Sequence, residues 1–162
     1  MSRIRAHQPL IPSVLDRLLD DESEVGREPM KARHQLLRDI RVAVRRDLEN
    51  LLNTRRRAAP VPPELKQLKP SMVHYGLPDF YGANLSDPDE REELRLTIER
   101  IVRLYEPRFK TVRVELLNNA DQLDLTLRFR VNALLHAEPA PEPVTFDSSW
   151  QPASGQFDLR GS

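Results

Sequence analysis

Residues 98–116, Ile98-Glu-Arg-Ile-Val-Arg-Leu-Tyr-Glu-Pro-Arg-Phe-Lys-Thr-Val-Arg-Val-Glu-Leu116, change their hydrophobic period half-way along. Before Pro107, the apolar residues Ile98, Ile101, Val102 and Tyr105 recur at helical spacing. After it, Val112, Val114 and Leu116 alternate with Arg113 and Glu115, the period of a half-buried strand. Proline pushes the residue before it out of helical geometry, so the helix must stop at the Glu106-Pro107-Arg108 corner.

Working upstream, the acids Asp87, Asp89, Glu90, Glu92 and Glu93 mark the start of this helix, with Ser86 as predicted cap and Pro88 early in the first turn. A second helical stripe, Leu36, Leu37, Ile40, Val44, Leu48, Leu51 and Leu52, predicts a helix from about Met30 to Leu52. Ser13 followed by Val14, Leu15, Leu18 and Leu19 predicts a short helix near the N-terminus. Pro60, Pro62, Pro63 and Pro70 forbid a continuous helix over 58–70, leaving one turn around Leu65 and Leu68. Gly76 and Pro78 set a turn held by the apolar residues beside it.

Downstream, Asn118–Asp121 reads as a hairpin connection into a long second strand, Leu123–Leu135, and Val144–Phe146 as a short third strand. Residues 151–162 read as a loosely held tail. The fold class is therefore α+β: N-terminal helices packed on a C-terminal antiparallel sheet of two to three strands, with residues 1–150 forming one domain.

Composition narrows the chemistry. The 162 residues carry 25 basic and 25 acidic side chains, so no global field draws the chain to nucleic acid or an anionic membrane. Cysteine is absent, which excludes disulfides, a thiolate nucleophile and cysteine-bearing zinc sites. No glycine-rich phosphate loop is present among five glycines, and no apolar run approaches the length of a membrane span. The four histidines, His7, His34, His74 and His136, lack metal-ligand spacing. No cofactor is expected.

Three features remain. Residues 31–57 hold nine basic and three acidic side chains, a local patch that raises a nucleic-acid reading tied to Arg41 and Arg45, though without the aromatics that accompany one. Glu106 and Arg108 project from a stiff corner, where they make either a local ion pair or an interface contact; spacing leaves the two level. The long hairpin has edges open to an incoming strand unless the helices cover them.

Several segments taken in order resemble the TssE family of type VI secretion baseplate subunits, relatives of the lysozyme-like baseplate wedge proteins of contractile-tailed phages. They are Pro12–Asp20, Asp47–Arg56, Tyr75-Gly-Leu-Pro-Asp-Phe80, Ile98–Arg108 and Val144–Asp147. The resemblance implies a structural wedge component and sheath initiator rather than an enzyme. It implies that Glu106, Pro107 and Arg108 attach to other wedge subunits (TssF, TssG and TssK-like). It also implies that strands bearing Val112, Val114, Leu116, Leu125, Leu127 and Phe129 present an edge to contractile sheath proteins (TssB and TssC-like). The expected location is the cytoplasm, at a baseplate docked on the inner membrane, with no membrane insertion. The competing reading is a peptidoglycan hydrolase using Glu106.

Overall fold

In the computed structural model, the described residues are 18, 33–56, 64–68, 71–80, 87–118, 124, 126–137, 140–152 and 154–161. Helix α1 spans Arg33–Asn53 and helix α2 Pro88–Tyr105. Strands β1 (Phe109–Leu117), β2 (Leu127–Leu135), β3 (Glu142–Gln151) and β4 (Gln156–Gly161) follow. They form one antiparallel sheet in the order β1-β2-β3-β4.

The helices-then-sheet order matches the expectation. The strand count does not: there are four strands, not two to three. Gln156–Gly161 pairs with Phe146–Gln151, so the segment expected to be a loose tail supplies the last strand. Phe157 and Leu159 are buried there while Gln156, Asp158 and Arg160 face water, a period-2 pattern too short to stand out in a polar stretch. β2 is described from Leu127, with Asp124 and Thr126 outside the strand; most of the predicted connection, residues 119–121, and Leu123 lie outside the described residues. The helix predicted after Ser13 lies outside the described residues, apart from Leu18, which is helical and exposed. The predicted cap Ser86 also lies outside them. The cap observed is Asp87, whose carboxylate accepts from the Asp89 N–H at 2.9 Å.

The core is one layer between helices and sheet. Ile40, Val44, Leu48, Leu51 and Leu52 of α1 and Leu94, Ile98, Ile101 and Val102 of α2 face it. From the sheet come Val112 and Val114, Leu127 to Leu135 at alternate positions, Val144, Phe146, Trp150, Phe157 and Leu159. A bulge at Lys110 shifts the register between Phe109 and Thr111, which brings Phe109 onto the core face with Val112 and Val114. The opposite face is polar. Glu115, Arg130, Asp147 and Arg160 stand directly opposite one another across all four strands in alternating charge, with Arg130 Nε 2.6 Å from Asp147.

Each helix lies along an edge strand and occupies its outward backbone groups. On β1, the Val114 N–H donates to Glu99 (3.1 Å), the Val114 carbonyl accepts from Arg95 (3.0 Å), and the Val112 carbonyl accepts from Arg103 (3.0 Å). On β4, the Asn53 amide does the same work alone: it donates to the Phe157 carbonyl (2.9 Å) and accepts from the Phe157 N–H (2.8 Å). Arg45 donates to the Leu159 carbonyl at 3.1 Å.

The Tyr75–Phe80 turn is pinned to the end of α1. Leu77 N–H donates to Thr54 (2.8 Å) and Arg56 N–H to Leu77 (2.7 Å). Gly76 sits at φ +100°, and a Cβ there would overlap the Thr54 carbonyl.

Two outcomes test this architecture. Gly76→Ala should lower unfolding free energy by at least ~2 kcal/mol, read as a reduced urea midpoint, because both conformation and space oppose the methyl group. Asn53→Ala should cost about 1–3 kcal/mol and raise the hydrogen-exchange rate of the Phe157 amide. An unchanged Phe157 rate would mean the Asn53 amide does not close the β4 edge.

Candidate interaction site

Glu106 ends α2 as its C-cap, its N–H still reaching the Val102 carbonyl at 2.9 Å. Pro107 then turns the chain, and Arg108 leads into β1. The turn folds the two charged side chains onto each other. Arg108 Nε lies 2.7 Å from Glu106 Oε1, and the Arg108 N–H donates to the same oxygen at 3.1 Å. Arg108 Nη2 bridges Glu106 Oε2 and Asp47 Oδ2, the latter at 2.6 Å. Asp47, midway along α1, also accepts from Arg46 at 3.0 Å. The corner is thus a chain of four charges, Arg46–Asp47–Arg108–Glu106, tying α1 to the bend between α2 and β1.

Burial decides what this arrangement can do. Glu106 is 4% exposed. Burial opposes the charge of Arg108, but its hydrogen bonds and attraction to Glu106 and Asp47 outweigh that and hold its proton more firmly than in a free side chain. Tyr75 and Tyr105 close the site with an edge-to-face ring pair 5.2 Å apart, and the Tyr105 hydroxyl donates to the Ser71 carbonyl at 3.3 Å. Burial, then the charges of Asp47 and Glu106, push the Tyr75 hydroxyl above its ordinary pKa. Three segments singled out in the sequence, around Asp47, Tyr75 and Glu106, therefore meet at one place.

Of the ion-pair and interface readings left level by spacing, the geometry supplies the ion pair. Glu106 is turned inward. Pro107 is exposed and Arg108 half-buried, so the surface of the corner is Pro107 with the outer edge of the guanidinium. Both carboxylate oxygens of Glu106 are engaged by Arg108, so its hydrogen-bonding capacity is used within the corner.

The strand residues fall into different places. Val112 and Val114 lie on edge strand β1, but their side chains are in the core and their outward backbone groups are taken by α2. Leu116, half-buried, lies beyond that clamp. Leu127 and Phe129 are buried on β2, which is paired on both sides and so offers no edge. Leu125 lies outside the described residues. Of the basic face, Arg41 binds Glu142 at 3.3 Å and Arg45 binds the Leu159 carbonyl, so part of that charge is spent within the chain. Among the described residues, no group of three or more His, Asp or Glu is placed to hold a metal ion, and no helix is long and apolar enough to cross a membrane.

The family model for baseplate wedge protein gp25 matches residues 38–140, from the second turn of α1 to just before β3. The chain belongs to the baseplate wedge protein gp25 family. This is the family that includes TssE, so the resemblance read from the sequence holds at the family level. No curated protein matches the chain. The matched span contains the whole Asp47–Glu106–Arg108 constellation and the β1–β2 pair, and stops before β4. The family is one of structural baseplate components.

Because Arg108 neutralises a buried carboxylate, Arg108→Ala should destabilise the fold by about 3 kcal/mol. Arg108→Lys should recover only part, since an ammonium cannot grip Glu106 and Asp47 at once. Urea unfolding of the variants checks this: an Arg108→Ala midpoint equal to the parent's would show the charge chain to be dispensable.

Proposed function

We propose that this chain is a TssE-type subunit of a type VI secretion baseplate, a structural wedge component rather than an enzyme. In this reading it works in the cytoplasm at a baseplate docked on the inner membrane. It binds other wedge proteins (TssF, TssG and TssK-like) through the Glu106-Pro107-Arg108 corner, and sheath proteins (TssB and TssC-like) by strand pairing. The observation that carries the reading is the convergence of the three family-like segments on that corner, in a chain of the gp25 baseplate wedge family. The internal charge chain fixes the bend, and the bend presents exposed Pro107 as a rigid knob. The role of Glu106 and Arg108 is to set the shape of that knob, while Pro107 and the rim of Arg108 touch the partner.

The decisive variant is therefore at the exposed residue. Pro107→Glu should leave the melting temperature within a few degrees of the parent's and abolish co-purification of wedge proteins with the tagged full-length chain. If the variant still brings down the same wedge proteins in the same amounts, the corner is not the contact. A parent chain that brings down no baseplate protein would overturn the assembly reading as a whole.

A further inference from the structure

The acids around the Glu106-Pro107-Arg108 corner face inward and the cations face out. Arg103 is 62% exposed, but the Glu99 that it binds at 2.9 Å is 18% exposed and also serves Arg95 and the Val114 N–H. Arg108 keeps 22% of its side chain in water over a Glu106 that keeps 5%. Arg46 is likewise the more exposed partner of its pair with Asp47. Arg100 and Lys110 are exposed, and their side chains make no ion pair or hydrogen bond among the described residues. From Arg100 to Arg113 the chain carries five cations and one acid, the buried Glu106. The exposed acids of α2, Asp89, Glu90, Glu92 and Glu93, are confined to its first two turns, about 10 Å or more along the axis from Arg100. A chain of zero net charge thus presents a positive surface here.

The centre of that surface is apolar. Residues three and four apart share a helix face, so Arg100, Arg103 and Leu104 stand on one side of the last turns of α2, and Pro107 follows on from them. Leu104 is 40% exposed and Pro107 is exposed beside it. Lys110, the bulged residue of β1, lies three residues beyond Pro107. An apolar centre in a charged rim is the anatomy of a protein contact rather than of a solvated face. A second basic face, a groove along the first half of α1 lined by Arg38, Arg41, Arg45 and Arg160, commits Arg41 to Glu142 and Arg45 to the Leu159 carbonyl, so less of its charge is on offer.

We propose that the surface received at the Pro107 corner is an acidic face of a partner protein. Apolar side chains seat on Leu104 and Pro107, and carboxylates around them meet Arg100, Arg103, Arg108 and Lys110. This deepens the wedge contact of the proposed function and rests on it. It adds the chemistry of the partner and three residues, Arg100, Leu104 and Lys110, that the corner alone did not name. Arg103 and Arg108 are already fixed by Glu99 and Glu106, so they meet a carboxylate without first being ordered. Rim charges act mainly on encounter, so the contact forms more slowly as salt screens them. A nucleic acid is disfavoured: its phosphates would match the cations and leave Leu104 and Pro107 without an apolar counterpart.

The test immobilises the wedge proteins captured by the tagged parent chain and titrates them with full-length variants at low and at physiological salt. Arg100→Glu combined with Lys110→Glu should weaken binding about tenfold, mainly through slower association, and should flatten its salt dependence. Both side chains are exposed and unpaired among the described residues, so this variant should melt with the parent. Arg100→Lys should bind like the parent. Arg113→Glu combined with Arg128→Glu makes the same change of charge on the outer face of the sheet and should leave binding unchanged. Parent-like affinity in the Arg100 and Lys110 double variant, an equal loss in the Arg113 and Arg128 one, affinity indifferent to salt, or tighter binding of a single-stranded oligonucleotide than of the captured proteins would each overturn the proposal. The two readings fail separately. If Pro107→Glu abolishes capture while the Arg100 and Lys110 double variant binds as tightly as the parent, the corner contact stands and its acidic partner does not. If the parent chain captures no wedge protein, the contact itself fails, and this inference with it.

Discussion

The buried carboxylate of Glu106 is the constraint around which the rest of the molecule is arranged. An acid almost out of contact with water must meet a cation with directed hydrogen bonds. Pro107 makes that possible within two residues by turning the chain so that Arg108 folds back onto both oxygens. Arg108 carries more donors than Glu106 can use, and the spare one takes Asp47 of α1. One local turn thereby becomes a tertiary tie: it fixes α1 relative to the α2–β1 bend, and with it the line along which each helix runs over the sheet. Mutual packing of α1 and α2 is sparse compared with the packing of each helix on its own edge strand, so the relative position of the two depends heavily on this tie.

Once the helices are placed along the edges, they solve a problem inherent to a small open sheet. Edge strands carry unpaired backbone groups that would recruit other strands. Here, side chains stand in for the missing neighbours. On β1, the stand-in is an ion pair, Arg95 with Glu99 at 3.0 Å, offering one donor and one acceptor to the same residue, Val114. On β4, it is the Asn53 amide, which carries donor and acceptor in one group. Much of the charge on the helices is therefore not a solvated face. It is backbone satisfaction by side chains, and the basic stripe on α1 divides between this use and the rim of a groove.

The fold class was legible in the change of period across Glu106-Pro107-Arg108, and both long helices fall within a few residues of their predicted limits, because caps and prolines act locally. The fourth strand was not, since Phe157 and Leu159 make only two apolar repeats, and two repeats become a strand only when β3 is there to pair with them. The interior position of β2 follows from that same strand order, so Leu127 and Phe129 were open to being read as an edge. The corner was half legible. Spacing put Glu106 and Arg108 on one stiff corner but left an ion pair and an interface contact level, because the partner that settles the orientation, Asp47, is far away in sequence and arrives only through packing. The side-chain clamps on the edges carry no local signature at all, since Asn53, Glu99 and Arg95 are ordinary helix residues until a strand lies beside them.

A subunit of a larger assembly has two opposed requirements: it must not pair indiscriminately beforehand, and it must offer something definite to its neighbours. Uniformly open edges would satisfy only the second, and uniformly closed ones only the first. In this chain the middle of each edge strand is closed by side-chain groups that a competing strand would have to displace, the Arg95–Glu99 pair on β1 and the Asn53 amide on β4, at the cost of their hydrogen bonds. Among the described residues, what stays accessible is small and shaped: the proline at the apex of a fixed bend, and a groove beside α1 lined by Arg38, Arg41, Arg45 and Arg160. The closed edges leave shape and charge at these places, rather than free main-chain groups along the strands, as what the surface offers.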